Sequence, residues 1–183
     1  MKIAIIGPPG SGKTTLAADL FVHLKKMKYN VEFIPELVKL KVYKGQDFSK
    51  PGFDINNAWE QMALEDSLKK TKFDFIIFEA PLCNGYFYTS FYRKLKEAVM
   101  LEDIAKKYIN GYDVVIHLRV CDEAEYESFG RNESYHQVVA LDNLIDEIFK
   151  SLDYKNHYIE IKDRNDVKGL VKKMIKIKEE CGA

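Results

Sequence analysis

Residues 7–14, Gly7-Pro8-Pro9-Gly10-Ser11-Gly12-Lys13-Thr14, satisfy G-x-x-x-x-G-K-[ST] at every required position. A random chain of this length would show such a match with odds on the order of one per cent. The apolar run Lys2–Ile6 before it and a four-residue leucine repeat after it lower those odds further. Glycines let the backbone wrap closely around phosphate, and successive N–H groups at a helix start make an anion nest. Gly7, Gly10, Ser11 and Gly12 are therefore expected to cradle phosphates, with Lys13 as a point charge between the β- and γ-phosphates and the Thr14 hydroxyl reaching Mg²⁺. Thr15 either adds a contact to the α-phosphate or is a plain helix-start residue. The ligands implied are ATP and Mg²⁺. A Gly-rich turn that happens to carry Lys-Thr is the bland alternative.

Two acids stand where such a loop can use them. Glu36 ends the second apolar run and Glu79 the third. In an open α/β sheet, ligands gather beyond the carboxyl ends of the strands. A phosphotransferase needs a carboxylate to accept a proton from the attacking hydroxyl, and an acid to hold Mg²⁺. Glu36 suits the first role, because its strand is expected to neighbour the first. Glu79 suits the second. A solvated strand-end acid is the alternative for each, while Asp113 precedes its strand and falls at the wrong edge. Arg131, in the polar stretch ESFGRNESY, can swing onto the γ-phosphate and neutralise charge as transfer occurs; otherwise it is a surface arginine. A structural ion pair is expected for Arg119.

The acceptor pocket is expected between the ends of strands two and three. Gln61 would read a base edge there, with Trp59, Tyr86 and Tyr88 stacking on a ring; the alternative for the aromatics is core packing. Adenine is expected near the loop Asp163–Asp166. The basic clusters Lys39, Lys41, Lys44 and Arg93, Lys94, Lys96 read as solvated faces, and the four scattered histidines as structural or surface residues.

These residues need an alternating frame. Strands are expected at residues 2–6, 31–35, 73–78, 114–120 and 158–161, the first ended by Gly7 and the second by Pro35. Helices are expected over about 13–28, 56–70, 90–108, 136–152 and 167–180. The second carries Trp59, Met62, Ala63 and Leu68 inward, and Asn110-Gly111 stops the third. Residues 39–56 read as a long loop or a short irregular helix. This is an α/β fold with a five-stranded, mostly parallel sheet and helices on both faces. One domain over 1–183 is expected, with a lid at about 122–135.

Composition sets outer bounds. The chain of 183 residues carries 28 Lys+Arg against 28 Asp+Glu, which argues against a coat of positive charge for non-specific nucleic-acid binding. Cys83, Cys121 and Cys181 match no zinc spacing and read as free thiols. No apolar run reaches the roughly 18–20 residues of a membrane span, so a cytoplasmic protein without membrane partners is expected.

The succession GPPGSGKTT, FIPEL, FEAP with an aromatic run, and VVIHLRV…FGRNES resembles the deoxynucleoside-kinase-like branch of P-loop kinases. That branch includes the nicotinamide-riboside kinase domain and bacteriophage nucleotide- and nucleoside-kinase-like proteins, some of which phosphorylate 5-hydroxymethyluracil in DNA. The resemblance implies a P-loop fold, Glu36 as general base, Glu79 holding metal or the acceptor hydroxyl, and a lid arginine at Arg131. It also implies a possible homodimer and, if the chain is phage-encoded, a host cytoplasmic location. The chain departs from that pattern at Tyr126, Glu127 and Ser128, where a second lid arginine often falls, and at Ala80-Pro81, where an arginine often follows the acid. The expected function is transfer of the γ-phosphate of ATP to a hydroxyl of a nucleoside, a nucleotide or a hydroxymethylated DNA base. The alternative is a P-loop ATPase switch acting with a protein partner.

Overall fold

The computed structural model describes residues 1–123, 126 and 133–182. Five strands form one sheet: β1 (Lys2–Ile6), β2 (Val31–Ile34), β3 (Phe75–Phe78), β4 (Val114–Leu118) and β5 (His157–Ile161). Their order is β2-β3-β1-β4-β5, and every neighbouring pair is parallel. The α/β sheet expected from the sequence is thus present, and wholly parallel. One expectation about it fails. β3, not β2, is the neighbour of β1, with Ala4 opposite Phe78, and β2 lies one strand further out. Sheet order depends on which long-range faces pack, which local sequence does not encode.

Seven helices cover the sheet among the described residues: α1 (Lys13–Lys26), α2 (Leu37–Tyr43), α3 (Phe53–Leu68), α4 (Cys83–Phe91), α5 (Leu95–Tyr108), α6 (Tyr135–Ser151) and α7 (Val167–Glu180). Because strand side chains alternate, β1 sends Ile3 and Ile5 to one face and Ala4 and Ile6 to the other. The first face packs on Leu16, Leu20 and Leu24 of α1 and on Leu170, Val171 and Met174 of α7. The second packs on Phe87 of α4, Ala105 of α5, and Leu141 and Ile145 of α6. Leu20 is fully buried between α1 and the sheet. Leu20→Ala is expected to lower unfolding stability by about 2–5 kcal/mol, read as a fall in the urea midpoint at unchanged slope.

Local chemistry explains where several helices begin and end. Ser134 accepts from the Gln137 N–H while the Gln137 side chain accepts from the Ser134 N–H, a capping box that starts α6. Asp166 caps α7 by accepting from the Gly169 N–H at 3.0 Å. The single helix expected over 90–108 is two helices. Arg93 takes a left-handed conformation (φ 56°), and the Lys94 N–H turns back to the Thr89 carbonyl at 2.8 Å. No glycine or proline marks that break in the sequence. Within 39–56, α2 is a regular helix, and α3 starts at Phe53 after a left-handed Gly52 (φ 83°) instead of at Asn56.

The inward side of α3 also differs from expectation. Ala58, Gln61 and Glu65 are its buried residues, whereas Trp59 is 55% exposed and Ala63 faces solvent. Glu65 is accommodated because its carboxylate accepts from the Tyr112 hydroxyl at 2.8 Å and from the Gln61 amide at 3.2 Å. Burial pushes the Glu65 carboxyl above the usual carboxylate range. All three cysteines are free thiols, and burial raises the Cys83 thiol so far that it stays protonated. Among the described residues no helix is long and apolar enough to cross a membrane.

Candidate active site

The loop between β1 and α1 is shaped by two glycines in particular. Gly7 (φ 146°) closes against β4, where a Cβ would run into the Leu118 carbonyl oxygen. Gly12 (φ 95°) starts α1, and a Cβ there would come within 2.7 Å of the Arg164 guanidinium. The Ser11 hydroxyl donates to the Pro8 carbonyl at 3.0 Å, bracing the turn. No acidic side chain lies in the first turn of α1, so the positive end of that helix is left for an anion. The Lys13 ammonium folds over the loop and donates to the carbonyls of Gly7 (2.9 Å) and Pro8 (2.8 Å).

Glu79 ends β3 beside this loop and is only 3% exposed. Its backbone N–H donates to the Ile34 carbonyl of β2 at 3.0 Å, which locks the two strand ends together. The Thr14 hydroxyl donates to one Glu79 carboxylate oxygen, and the Glu36 N–H donates to the other at 3.4 Å. The sheet order thus places Glu79 against the loop and Glu36 one strand beyond it. Burial raises the Glu36 carboxyl above the usual range; the Lys13 charge opposes that shift, and Glu79 and Glu133 add to it.

These groups share a cleft of about 820 Å³ at the carboxyl ends of the strands. One end is the phosphate loop with Lys13, Thr14 and Thr15, flanked by Arg164 from the loop after β5. α2 borders the cleft with Val38, Lys39, Val42 and Tyr43. The far end is walled by α3 and α4. On α3, Asp54, Asn57 and Gln61 recur at helical spacing along one polar stripe, with the apolar Ala58 beside them. On α4, Asn84, Gly85 and Tyr88 face it, with Tyr92 just beyond that helix. The Lys94 ammonium is paired with Asp54 at 2.5 Å, so its charge is neutralised within the cleft. Glu133 also lines the cleft and accepts from the Tyr92 hydroxyl.

The cleft therefore brings together Lys13, Thr14, Thr15, Glu36, Gln61, Glu79 and Tyr88, all singled out from the sequence, along with Gly10 and Gly12. Gly7 and Ser11 form the turn beneath it. Trp59 and Tyr86 do not border it: Trp59 points to solvent, and Tyr86 packs on the core beside Glu102. Arg131 lies outside the described residues, as does most of the expected lid. Asn57 and Asn84 are cleft residues that the sequence reading passed over, while Glu133 falls within the expected lid. The recurrence Asn57, Gln61, Glu65 at four-residue spacing was the available signal for α3.

Arg119 is held away from the cleft, 3.0 Å from Asp142 and 3.9 Å from both Asp146 and Glu160. His117, Asp146 and Glu160 place possible ligand atoms within 4.8 Å of one another. Both His117 nitrogens are engaged, by the Tyr158 hydroxyl at 2.7 Å and Asp142 at 2.9 Å, and the Arg119 guanidinium already supplies the cation. The cluster is a structural tie between β4, β5 and α6.

Thr14 and Glu79 offer a hydroxyl and a carboxylate in direct contact, the hard oxygen donors that suit Mg²⁺. A phosphate loop ahead of α1, in a parallel sheet ordered β2-β3-β1-β4-β5, is the arrangement of the P-loop kinases. The chain belongs to the AAA domain family AAA_28, whose model matches residues 2–168. The adenylate kinase of Corynebacterium urealyticum is 26% identical over 144 residues, covering 76% of this chain and 76% of that protein. That of Pseudothermotoga lettingae is 26% identical over 128 residues, covering 67% of this chain and 54% of the other. Among solved structures, deoxyadenosine kinase from M. mycoides with the products dCMP and a flexible dCDP has a TM-score of 0.61 at 22% identity, covering 96% of this chain and 97% of that one. The same enzyme with bound dATP has a TM-score of 0.59 at 20% identity, covering 96% and 98%. At that identity the likeness establishes the fold.

Proposed function

We propose that the protein transfers the γ-phosphate of ATP to a hydroxyl of a nucleoside-like acceptor. One observation carries this reading: the phosphate loop, Glu79 and Glu36 are linked in series along one cleft, which continues past Glu36 into an organic-sized, amide-lined end. A P-loop ATPase acting as a switch needs room only for water beyond the γ-phosphate, so the extra volume favours an acceptor. The kinase names of the relatives point the same way.

In this reading the loop N–H groups and Lys13 bind the triphosphate, Lys13 exchanging its two carbonyl contacts for phosphate oxygens. Thr14 and Glu79 would hold Mg²⁺, which when bound neutralises charge on the β- and γ-phosphates. Glu36 accepts the proton of the acceptor hydroxyl as its oxygen attacks the γ-phosphorus. The new O–P bond forms as the bond to the β-phosphate bridging oxygen breaks, and ADP leaves. Arg131 is assigned the γ-phosphate clamp by resemblance, while Gln61 and Tyr88 contact the acceptor. The acceptor classes are a free nucleoside, a nucleotide and a hydroxymethylated base in DNA. The neutralised Lys94–Asp54 pair favours an uncharged group at the far end over a second phosphate.

The raised Glu36 carboxyl sets a pH expectation. Glu36 must be ionised to accept a proton, so kcat/KM should fall on acidification through a value above the ordinary carboxylate pKa of about 4.3. The sign of the stability effect is opposite. A carboxyl raised on folding weakens the fold above its folded pKa, and acidification relieves that penalty. The acid limb therefore reports loss of the base, not unfolding through this group, and Glu36→Gln should abolish it in a pH–rate profile.

The acceptor is tested by ADP release with Mg²⁺ and ATP against nucleosides, nucleoside monophosphates, nicotinamide riboside, and DNA with and without 5-hydroxymethyluracil. Stimulation by one class is expected. A rate that no acceptor changes would contradict the reading and favour the switch.

A further inference from the structure

Lys13 is joined on the phosphate loop by a second cation. The Arg164 side chain, from the loop after β5, lies across Gly12 and borders the cleft. A Cβ on Gly12 would sit 2.7 Å from its Nη1, 2.8 Å from its Cδ and 3.5 Å from its Cζ. The guanidinium therefore rests on the backbone that opens α1, at the positive end of that helix.

No carboxylate compensates it. Among the described residues Arg164 has no ion pair or hydrogen bond, whereas Arg119 is held by Asp142, Asp146 and Glu160. The acids beside it in sequence are engaged with the backbone. Asp163 accepts from the Asn165 N–H at 2.8 Å, and Asp166 from the Gly169 N–H at 3.0 Å. On the other side, the Arg119 N–H donates to the Ile161 carbonyl at 2.9 Å, so the chain is fixed before and after Arg164. A cation set on a positive helix end without a counter-ion costs stability until an anion joins them. The planar arginine fork suits phosphate oxygens in particular.

The sheet order decides which phosphates these are. Glu79 and Glu36 follow β3 and β2, on one side of β1, while β5 is the outermost strand on the other side. In the phosphotransfer reading the γ-phosphate faces the two acids. Arg164 then meets the polyphosphate from the opposite side.

We propose that Arg164 is a fixed clamp on the α- and β-phosphates of the donor nucleotide. This rests on the phosphotransfer reading for the direction in which the γ-phosphate points. It extends that reading by naming the group that steadies the charge left on the departing diphosphate. Gly12 serves the same contact, because a side chain there would keep the guanidinium off the loop.

The test is equilibrium binding of ATP, ADP and inorganic tripolyphosphate, each with Mg²⁺, to the full chain. Arg164→Met keeps the apolar stem and removes the charge and the fork. It should weaken all three ligands by about tenfold or more, and by similar factors. Arg164→Lys should fall between the two, since a point charge lacks the fork. The residue is exposed, so both variants should fold. Without nucleotide the urea midpoint of Arg164→Met should hold or rise, because the uncompensated charge is gone. A smaller loss for ATP would return Arg164 to a surface residue and overturn the proposal. A loss for ATP and ADP that tripolyphosphate does not share would make it a base-stacking residue and overturn it too, as would a wild-type chain that binds no tripolyphosphate. Binding needs neither acceptor nor turnover, so failure of phosphate transfer with this affinity pattern intact would count against the proposed reaction alone.

Discussion

Lys13→Ala is expected to reduce phosphate transfer at least about 10³-fold while leaving a folded protein. Loss of that rate corresponds to about 4 kcal/mol of transition-state stabilisation. The ammonium is the cation most directly seated on the loop, held by the Gly7 and Pro8 carbonyls. Removing it deletes the charge that meets the β- and γ-phosphates. It also removes the cation that lowers the Glu36 carboxyl, so the base becomes still harder to ionise. The fold should tolerate the change, because Lys13 itself borders the cleft, so truncating it leaves a space open to water that can reach the Gly7 and Pro8 carbonyls. Circular dichroism and the urea midpoint check folding, and single-turnover transfer checks the rate. A folded variant with full turnover would refute the assignment of the loop.

Glu36→Gln should lower kcat by about 10²–10⁴-fold, the usual range for loss of a general base, and change ATP affinity little. The geometry makes this separation possible. Glu79, not Glu36, touches Thr14, so the triphosphate end of the site stays intact when the Glu36 carboxylate becomes an amide. The Glu36 contact to Glu79 runs through its backbone N–H and survives the substitution. Steady-state kinetics with ATP and the acceptor varied separately decide the matter. If ATP binding alone weakens, Glu36 belongs to the nucleotide site and the proton acceptor lies elsewhere.

What could be read in the sequence was what neighbouring residues settle among themselves. The phosphate loop declares itself because its glycines, lysine and threonine act within a few residues of one another, between an apolar strand and a helix. Glu36 and Glu79 were found as strand-end acids for the same local reason. Their relative depth was not, because it follows from β3 pairing directly with β1, a long-range choice. The polar stripe on α3 was hidden by a competing apolar one: Trp59, Met62 and Ala63 look like an inward face until the cleft claims Asn57 and Gln61 instead. The break between α4 and α5 was hidden because Arg93 takes a conformation usually left to glycine. Tyr88 and Tyr86 are two residues apart on one helix and both pack against the core, and only the three-dimensional arrangement decides that Tyr88 also borders the cleft while Tyr86 does not.

The central claim is that the γ-phosphate leaves ATP for an organic hydroxyl. The most direct measurement follows label from γ-³²P-ATP in a single turnover with Mg²⁺ and each acceptor class, separating organic phosphate ester from inorganic phosphate. Label should appear on one acceptor, in step with ADP formation, and vanish from it in Lys13→Ala. Label found only as inorganic phosphate, at one rate with every acceptor, would contradict the account.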